Sequence, residues 1–251
     1  MRVLRFVLCA AVLAAIVNAQ PLGGVPAQRP QQQTPKQAAP IDLAGYWVAV
    51  VTEDWMYRMV TPPKGKYVGV PLNAAARKVA DAWDPAKDEA AGEACKSYGA
   101  AALMRVPGRI HITWQDDNNL KVDTEAGQQS RTLHFSGTPT AEATWQGYSQ
   151  ASWEQAAVKR GDPKAGNLKV VTTNLRSGYL RKNGVPYSAN ATVNEWIDSH
   201  TGPDGDTWVI FTTEVRDPAN LTQPFVTSSH FRKLTDAEGA KEWKPEPCSS
   251  K

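Results

Sequence analysis

Residues 109–135 read RIHITWQDDNNLKVDTEAGQQSRTLHF. In the first eight of them isoleucine, isoleucine and tryptophan alternate with polar side chains, which is the period-two pattern of a half-buried strand. An Asp- and Asn-rich turn at 116–119 and a second turn around Gly127 interrupt the alternation, which resumes after each. The stretch therefore predicts three antiparallel strands joined by tight turns, at 109–115, 120–124 and 130–135.

The same alternation extends in both directions along the chain. An earlier strand is expected at 45–51, continuing through 55–60 after a kink. Turns rich in Gly, Pro, Asn and Asp separate the later expected strands, at 143–153, 168–175, 189–198, 207–216 and 224–234. No alternating strand–helix repeat supports a parallel sheet. We therefore expect an all-β, mainly antiparallel fold of eight or nine strands, which either closes into a barrel or splits into a sandwich.

A short helical insertion interrupts the pattern after the first strand. Asn73 is a typical helix cap, and residues 74–83 are rich in helix formers. Asp84-Pro85 ends that helix, because the residue before a proline avoids helical geometry. A second short helix is expected at 88–95.

Two motifs at the ends of the strand region indicate a closed barrel. Gly45 and Trp47 stand on the first strand, and Arg232 stands near the end of the last one. This Gly-x-Trp and Arg pattern resembles that of the lipocalins and the wider calycins. The resemblance implies that Trp47 plugs one end of the barrel and that Arg232 stacks on its indole. The early helices differ from the usual lipocalin plan and are closer to the lid of fatty-acid-binding proteins.

Further motifs cover more of the chain. Trp-x-Gly-Tyr-Ser at 145–149, Gly-Val-Pro-Tyr-Ser at 184–188 and Asp-Pro at 217–218 are similar to a family of exported proteins from environmental bacteria. The similarity spans residues 42–235. It implies export and a common fold, and it carries over no catalytic residue.

The ends of the chain predict its organisation. Residues 1–19 have a basic start, an apolar run and a small-residue cleavage pattern, as in a secretory signal peptide. Residues 20–41 are rich in Gln, Pro and Ala and are expected to form a disordered linker. The barrel domain is placed at 42–235 and a C-terminal tail at 236–251. We expect an exported protein, periplasmic or extracellular.

Charge excludes some partners. Cleavage removes Arg2 and Arg5, so the 28 basic residues fall to 26 against 25 acidic ones. Lys and Arg are not concentrated with aromatic residues as they are on a nucleic-acid-binding face, so no nucleic-acid partner is expected. With so small a net charge, a membrane-surface role is disfavoured as well. The apolar run of the signal peptide is too short to span a bilayer, so no stable membrane insertion is expected either.

Cys95 and Cys248 are the cysteines that remain after cleavage. In an oxidising compartment two thiols most simply pair, so we expect a disulfide that ties the tail to the helical insertion. Closing a loop of about 150 residues stabilises the fold by roughly 4–5 kcal/mol on the chain-entropy model.

We interpret the barrel as a container for a small apolar or aromatic ligand. Tryptophan and tyrosine supply apolar rings with a polar tip. Glu53, Asp54 and Arg58 form a charged cluster at the rim of the first strand, for which a solvated strand end with local ion pairs is the alternative. The candidate ligand-binding residues are Glu53, Trp55, Arg58, Trp114, Tyr148, Trp153, Asn174, Tyr179 and Trp208.

The alternative function is a cofactor-independent hydrolase, lyase or isomerase that uses a carboxylate with a His or Tyr in the barrel cavity. Glu195 stands out because Val193 and Ile197 flank it on one strand face, so it has either a partner or a raised pKa. A structural ion pair with Arg176 or Arg216 is the plainer interpretation. The candidate catalytic residues are Glu195, Glu214, His111, His134 and His230.

The sequence contains no motif typical of metal, nucleotide or thiol-redox chemistry. The four histidines are too far apart for a local zinc motif, and no metal site is predicted. There is no phosphate-binding glycine loop, no dinucleotide fingerprint and no Cys-x-x-Cys, so no cofactor is expected. A purely structural envelope protein is the third hypothesis.

Overall fold

The structure is a computed structural model that describes residues 33–139, 142–159, 161–162 and 164–250. The expected signal peptide and most of the expected linker lie outside the described residues. In chain order the strands are β1 (Gly45–Val50), β2 (Arg109–Asp116), β3 (Asn119–Thr124), β4 (Ala126–Gly127), β5 (Ser130–His134), β6 (Tyr148–Gln155), β7 (Gly166–Thr173), β8 (Gly178–Arg181), β9 (Val185–Tyr187), β10 (Thr192–Thr201), β11 (Thr207–Arg216), β12 (Phe225–Lys233) and β13 (Glu246–Pro247). The helices are α1 (Pro35–Ala38), α2 (Trp55–Arg58), α3 (Ala74–Asp81), α4 (Pro85–Ala90) and α5 (Asp236–Glu242).

Nine of these strands close into a barrel in the order β1-β12-β11-β10-β7-β6-β5-β3-β2, with β2 paired to β1. Neighbouring strands of the barrel are antiparallel except β5 and β6, which are parallel. The prediction of an all-β, mainly antiparallel barrel with a helical insertion after its first strand is confirmed.

Inward side chains fill the barrel. Alternate residues of each strand point to the axis, because the side-chain period of a strand is two. They form one buried apolar cluster, in the manner of a small barrel whose interior is just wide enough for side chains. The largest of them are Trp47, Ile112, Leu120, Leu133, Leu168, Ile197, Phe211 and Phe231.

One polar layer lies within this core. Arg131 donates from Nη1 to Glu195 Oε1 at 3.1 Å and from Nη2 to Glu195 Oε2 at 2.7 Å. The same guanidinium also donates to Ser149 Oγ and Thr172 Oγ1. Both charged side chains are at most 2% exposed. Glu195 thus does have a charged partner, but that partner is Arg131 rather than Arg176 or Arg216.

Trp47 is fully buried at one end of the barrel and donates its Nε1 hydrogen to Leu43 O at 3.0 Å. The cation over its ring is Lys233, whose Nζ lies 5.2 Å from the ring centroid. The expected stacking of Arg232 on Trp47 is wrong. Arg232 pairs with Val48, one place along the register from the pair of Trp47 with Lys233, and its guanidinium reaches Asp206.

The segment at 33–41 differs from the expected disorder. It contains the turn of α1, whose cap Thr34 forms a reciprocal capping box with Gln37. Trp153 Nε1 donates to Pro35 O at 2.8 Å, which fastens the segment to the barrel. Hydrogen bonds to backbone carbonyl groups of the segment therefore hold it on the barrel, and its amino-acid composition does not predict such bonds.

The helical insertion begins differently from the sequence expectation. The expected strand at 55–60 is wrong, because Asp54 adopts a left-handed conformation with φ of 52° and turns the chain into α2. The expected cap is confirmed, since Asn73 Oδ1 accepts from Ala76 N at 2.8 Å at the start of α3. The break before Pro85 is also confirmed, and Asp84 caps α4 there.

The C-terminal tail is fastened to the helical insertion by a disulfide. Cys95 and Cys248 form the expected disulfide, with their Cα atoms 5.1 Å apart. Upstream, α5 packs on β1 at Gly239, where a Cβ atom would collide with the Tyr46 ring. The tail therefore belongs to the folded unit.

Candidate functional site

A pocket opens where β1 leaves the barrel. The chain turns at Asp54, forms α2 and crosses toward the Leu103–Arg105 turn and β8. We call this the arginine pocket, and it is lined mainly by Tyr57, Arg58, Arg105, Val106, Leu180 and Arg181. Its volume is about 360 Å³ with the open mouth included. The enclosed part has room for only about two water-sized groups, at roughly 10–15 Å³ each.

Arg58 enters the pocket from α2 with its side chain fully buried. Its Nη1 forms an ion pair with Glu53 Oε1, and its Nε donates to Arg105 O at 2.9 Å. Its Nη2 is buried and makes no hydrogen bond to any described residue. Leaving a buried donor unpaired costs about 1–3 kcal/mol and more for a charged group, so this nitrogen favours an acceptor.

Arg105 and Arg181 approach the same pocket from distant parts of the chain. Arg105 Nη2 donates to Asp54 Oδ2 at 3.1 Å, and Arg181 Nη2 lies 3.8 Å from the same oxygen. Arg181 also donates from Nη1 to Val68 O at 2.8 Å, and its guanidinium lies 4.7 Å from the Tyr57 ring centroid. Its Nε is buried and unpaired among the described residues.

The pocket carries an excess of positive charge. Three buried guanidiniums face the two carboxylates of Glu53 and Asp54, and Asp54 is 42% exposed. Burial lowers the pKa of all three arginines, and repulsion from Arg105 lowers those of Arg58 and Arg181 further. The pKa of Arg181 falls to about 10. Arginine stays protonated at neutral pH in proteins, so the pocket is positively charged and favours an anion.

Glu53 joins the pocket to a second polar chain. Its Oε2 accepts from Thr52 Oγ1 at 2.8 Å and lies 3.4 Å from His230 Nδ1. His230 Nε2 is in turn 3.1 Å from Ser228 Oγ. From the pocket outward along the outer face of β12, a carboxylate is thus followed by an imidazole and then by a hydroxyl.

The structure places the expected ligand-binding residues in several regions. Glu53 and Arg58 meet in the arginine pocket, whereas Trp55 on the same turn is 60% exposed. The other six lie elsewhere. Trp114 and Trp153 pack on Phe135, Tyr148 stacks on His134, Asn174 donates to Glu142 O, Tyr179 donates to Asp88, and Trp208 pairs across the sheet with Arg232.

The expected catalytic residues are likewise separated. Glu195 is inside the barrel with Arg131, while Glu214 binds Arg216 and Asn194 on the outer face. The three histidines also lie outside. His111 stacks on Tyr46, His134 contacts Asn119 and Tyr148, and His230 reaches Glu53 and Ser228. The carboxylate that meets a histidine here is thus Glu53.

Arg105 and Arg181 were missed by the reasoning from sequence. Arg105 follows the apolar run Ala-Ala-Leu-Met at 101–104, and Arg181 follows Leu180 in β8. An arginine within an apolar run is a signal of a buried charge, which needs a partner. That signal was present at Arg105, whereas Arg181 stands between Leu180 and Lys182 with no apolar run around it. The convergence of both with Arg58 depends on the tertiary structure.

Compared with protein-family models, curated proteins and solved structures, the chain matches none of them. Within the described ranges, no helix has the length and apolar character needed to cross a bilayer. The same part of the chain contains no group of three or more His, Cys, Asp or Glu side chains arranged to hold a metal ion.

Proposed function

We propose that the protein is a binding barrel that takes up a small apolar or aromatic carboxylate, with the carboxylate held in the arginine pocket. The observation that carries the proposal is Arg58 Nη2, a fully buried charged donor with no partner among the described residues. Arg181, which lines the same pocket, likewise has an unpaired Nε. Two guanidiniums match the two oxygens of a carboxylate, and charge-assisted hydrogen bonds of this kind are the strong ones.

The remaining walls suit the rest of such a ligand. Tyr57, Leu180 and Val106 line the pocket with apolar surface, and Val60 leads outward at the mouth. Because the enclosed part is small, the anionic group enters it and the apolar body lies toward the mouth. Because apolar side chains occupy the interior of the barrel, we propose a site at the end of the barrel and not in the barrel cavity, where we expected it.

Export and kinship with the calycins form part of the same proposal. The disulfide between Cys95 and Cys248 supports an oxidising compartment, because cytosolic thiols are kept reduced. The closed barrel and the buried Trp47 support a calycin relationship, although Lys233 takes the position over the indole that was expected for Arg232.

Isothermal titration calorimetry with acetate, benzoate and benzyl alcohol tests the proposal. We expect benzoate to bind more tightly than acetate, and benzyl alcohol, which lacks the charge, to show no binding. Arg181→Met should weaken benzoate binding at least about tenfold, since charged hydrogen bonds contribute about 1.5–3 kcal/mol each. Its partner Asp54 is partly exposed, so this variant leaves no fully buried charge behind.

Arg216→Met is the matched control, because Arg216 is an exposed arginine paired with Glu214 on the outer face. It should keep the wild-type affinity for benzoate. Equal losses in Arg181→Met and Arg216→Met would show that the anion binds without the pocket, and wild-type protein that binds neither carboxylate would contradict the proposal.

A second candidate function is hydrolysis of a small ester. It is favoured by the chain of Glu53, His230 and Ser228, whose contacts are 3.4 Å and 3.1 Å. In this order His230 takes the Ser228 hydroxyl proton as Ser228 Oγ attacks the ester carbonyl, and it passes that proton to the alcohol that leaves. Water then hydrolyses the acyl-serine with His230 as the base, and the Glu53 carboxylate stabilises the imidazolium in both steps. Glu53 would then serve both the pocket and the reaction.

The rate of 4-nitrophenyl acetate hydrolysis tests this second candidate. Ser228→Ala should reduce the rate to the uncatalysed background and leave benzoate binding unchanged. The control is Ser130→Ala, which removes the hydroxyl of a serine on the barrel strand β5 that does not belong to this chain of contacts. A wild-type rate equal to background, or a full rate in Ser228→Ala, would exclude it.

A further inference from the structure

Exposed apolar side chains are concentrated beside the arginine pocket. Across the described residues, eight large apolar side chains are exposed, and five of them lie between positions 55 and 68. We call these five the apolar rim, and the other three are scattered along the chain. The members of the rim are Trp55, Met56, Met59, Val60 and Val68.

The short helix α2 has a reversed pattern of burial. It buries Arg58, while Trp55 is 60% exposed and Met56 is 58% exposed. Met59, directly after the helix, is also 58% exposed. A surface helix normally does the opposite and presents charge to water. Contiguous exposed apolar side chains mark an interaction surface in a protein that is otherwise well packed.

The rim is held in place by buried polar side chains. Arg181 Nη1 donates to Val68 O, and Asn183 Nδ2 donates to Pro63 O and Lys66 O. Asn183 itself is fully buried. These hydrogen bonds fix the backbone of the segment. The apolar side chains therefore point outward because of the way the chain folds here.

The charge of this segment has one sign. Residues 55–80 contain five Lys and Arg and no Asp or Glu, in a chain of 28 basic and 25 acidic residues. Lys64 and Lys66 are exposed between the members of the rim. The nearest acids are already engaged, Asp54 with Arg105 and Arg181, and Asp81 with the Tyr67 hydroxyl.

We propose that the apolar rim docks on the surface of an anionic lipid bilayer. Exposed Trp and Met with neighbouring Lys are the combination that places a segment at the interface, where the apolar rings enter the headgroup region and the cations meet lipid phosphates. Val60 belongs to the rim and also lines the pocket. Docking would therefore bring the mouth of the pocket to the bilayer surface. The inference goes beyond the proposed carboxylate binding and does not depend on it.

Co-sedimentation with vesicles tests the docking. One set of vesicles is phosphatidylcholine alone, and the other contains phosphatidylcholine and phosphatidylglycerol in equal parts. The wild-type chain should bind the anionic vesicles more strongly, and Lys64→Gln with Lys66→Gln should remove that preference. Trp55→Ser with Met59→Ser should lower the partition coefficient at least about tenfold, since two large side chains no longer enter the interface.

Val158→Ser is the matched control, because Val158 is exposed on the loop after β6 and does not belong to the rim. It should bind vesicles like the wild type. Lys64 and Lys66 do not line the arginine pocket, so Lys64→Gln with Lys66→Gln should keep the wild-type affinity for benzoate. Failure of the docking proposal and failure of the carboxylate proposal are therefore separate results. Quenching of the wild-type fluorescence by brominated lipid, reduced in Trp55→Phe, tests the same contact in the intact chain.

Three results would overturn the proposal. The first is wild-type protein that stays in the supernatant with both kinds of vesicle. The second is vesicle binding that Trp55→Ser with Met59→Ser leaves unchanged. The third is concentration-dependent dimerisation in analytical ultracentrifugation without vesicle binding, which would assign the rim to a second copy of the chain.

Discussion

Arg105 and Arg181 share a single carboxylate oxygen, Asp54 Oδ2, at 3.1 Å and 3.8 Å. Glu53 is already paired with Arg58, so one carboxylate serves two buried guanidiniums. Charge in a partly buried site is screened less than at the surface, and the imbalance favours an added anion. The relationship between these two arginines therefore underlies the proposed binding of a carboxylate.

Asp54→Asn tests whether Asp54 competes with the ligand. Removing its charge leaves Arg105 and Arg181 without a carboxylate, so benzoate affinity should rise by roughly tenfold, or about 1.4 kcal/mol. Asparagine tolerates the left-handed conformation of this position, where φ is 52°, so the turn is retained. Calorimetry measures the affinity. Asp206→Asn, which removes the acid from the exposed Arg232 pair, should change nothing, and an unchanged affinity in Asp54→Asn would refute the competition.

Glu195→Ala should destabilise the fold by about 3–5 kcal/mol, because it leaves the Arg131 charge buried and unpaired. Urea denaturation monitored by tryptophan fluorescence measures the effect. Glu214→Ala on the outer face should cost less than about 1 kcal/mol, since its partner Arg216 is exposed. Replacing both members of the buried pair, as Arg131→Met with Glu195→Leu, should restore most of the lost stability. A loss as small as that of Glu214→Ala would show that the buried pair is not needed.

The fold could be predicted from the sequence because the period-two alternation of apolar and polar residues is a local signal. Ile110, Ile112 and Trp114 point into the barrel as the alternation predicted. The partner of Glu195 could not be predicted in this way. Arg131 follows the alternation and points inward with Leu133, but the strand that it faces across the barrel depends on closure of the sheet.

The candidate site could be predicted only in part. Glu53 and Arg58 are near each other in the chain and were recognised as a charged cluster. Arg105 and Arg181 reach them through a 3-10 turn and a short hairpin strand, whose positions follow from packing on the barrel end. Lys233 lies over Trp47, and Arg232 does not, because neighbouring residues of a strand point to opposite faces. Lys233 is the residue that pairs with Trp47 and shares its face.

Reduction of the disulfide should lower the free energy of unfolding substantially. Cys95 and Cys248 are separated by 153 residues, and a loop of that length gives roughly 4–5 kcal/mol on the chain-entropy model. The denaturation midpoint should fall in dithiothreitol and should then match that of Cys95→Ser with Cys248→Ser. A midpoint that dithiothreitol leaves unchanged would show that the tail adds no stability through this bond.

Stability should decline as the pH falls below about 6.5. Burial lowers the pKa of His111 and of His134 from the ordinary value of 6.5, so the unfolded chain takes up protons before the folded chain does. The contribution of both neutral imidazoles is thus complete above the unfolded pKa and is lost as the pH drops toward the folded one. Urea midpoints between about pH 7.5 and 5.5 measure it. The slope should be smaller in His111→Gln with His134→Gln, and an equal slope would contradict this origin.

The most direct measurement is a crystal structure of the protein soaked in 4-bromobenzoate, with the bromine located by its anomalous signal. The account predicts a bromine peak at the mouth of the arginine pocket near Val60, with the carboxylate against Arg58 Nη2 and Arg181 Nε. Bromine found only at other places on the protein, with these two nitrogens still unpaired, would contradict it.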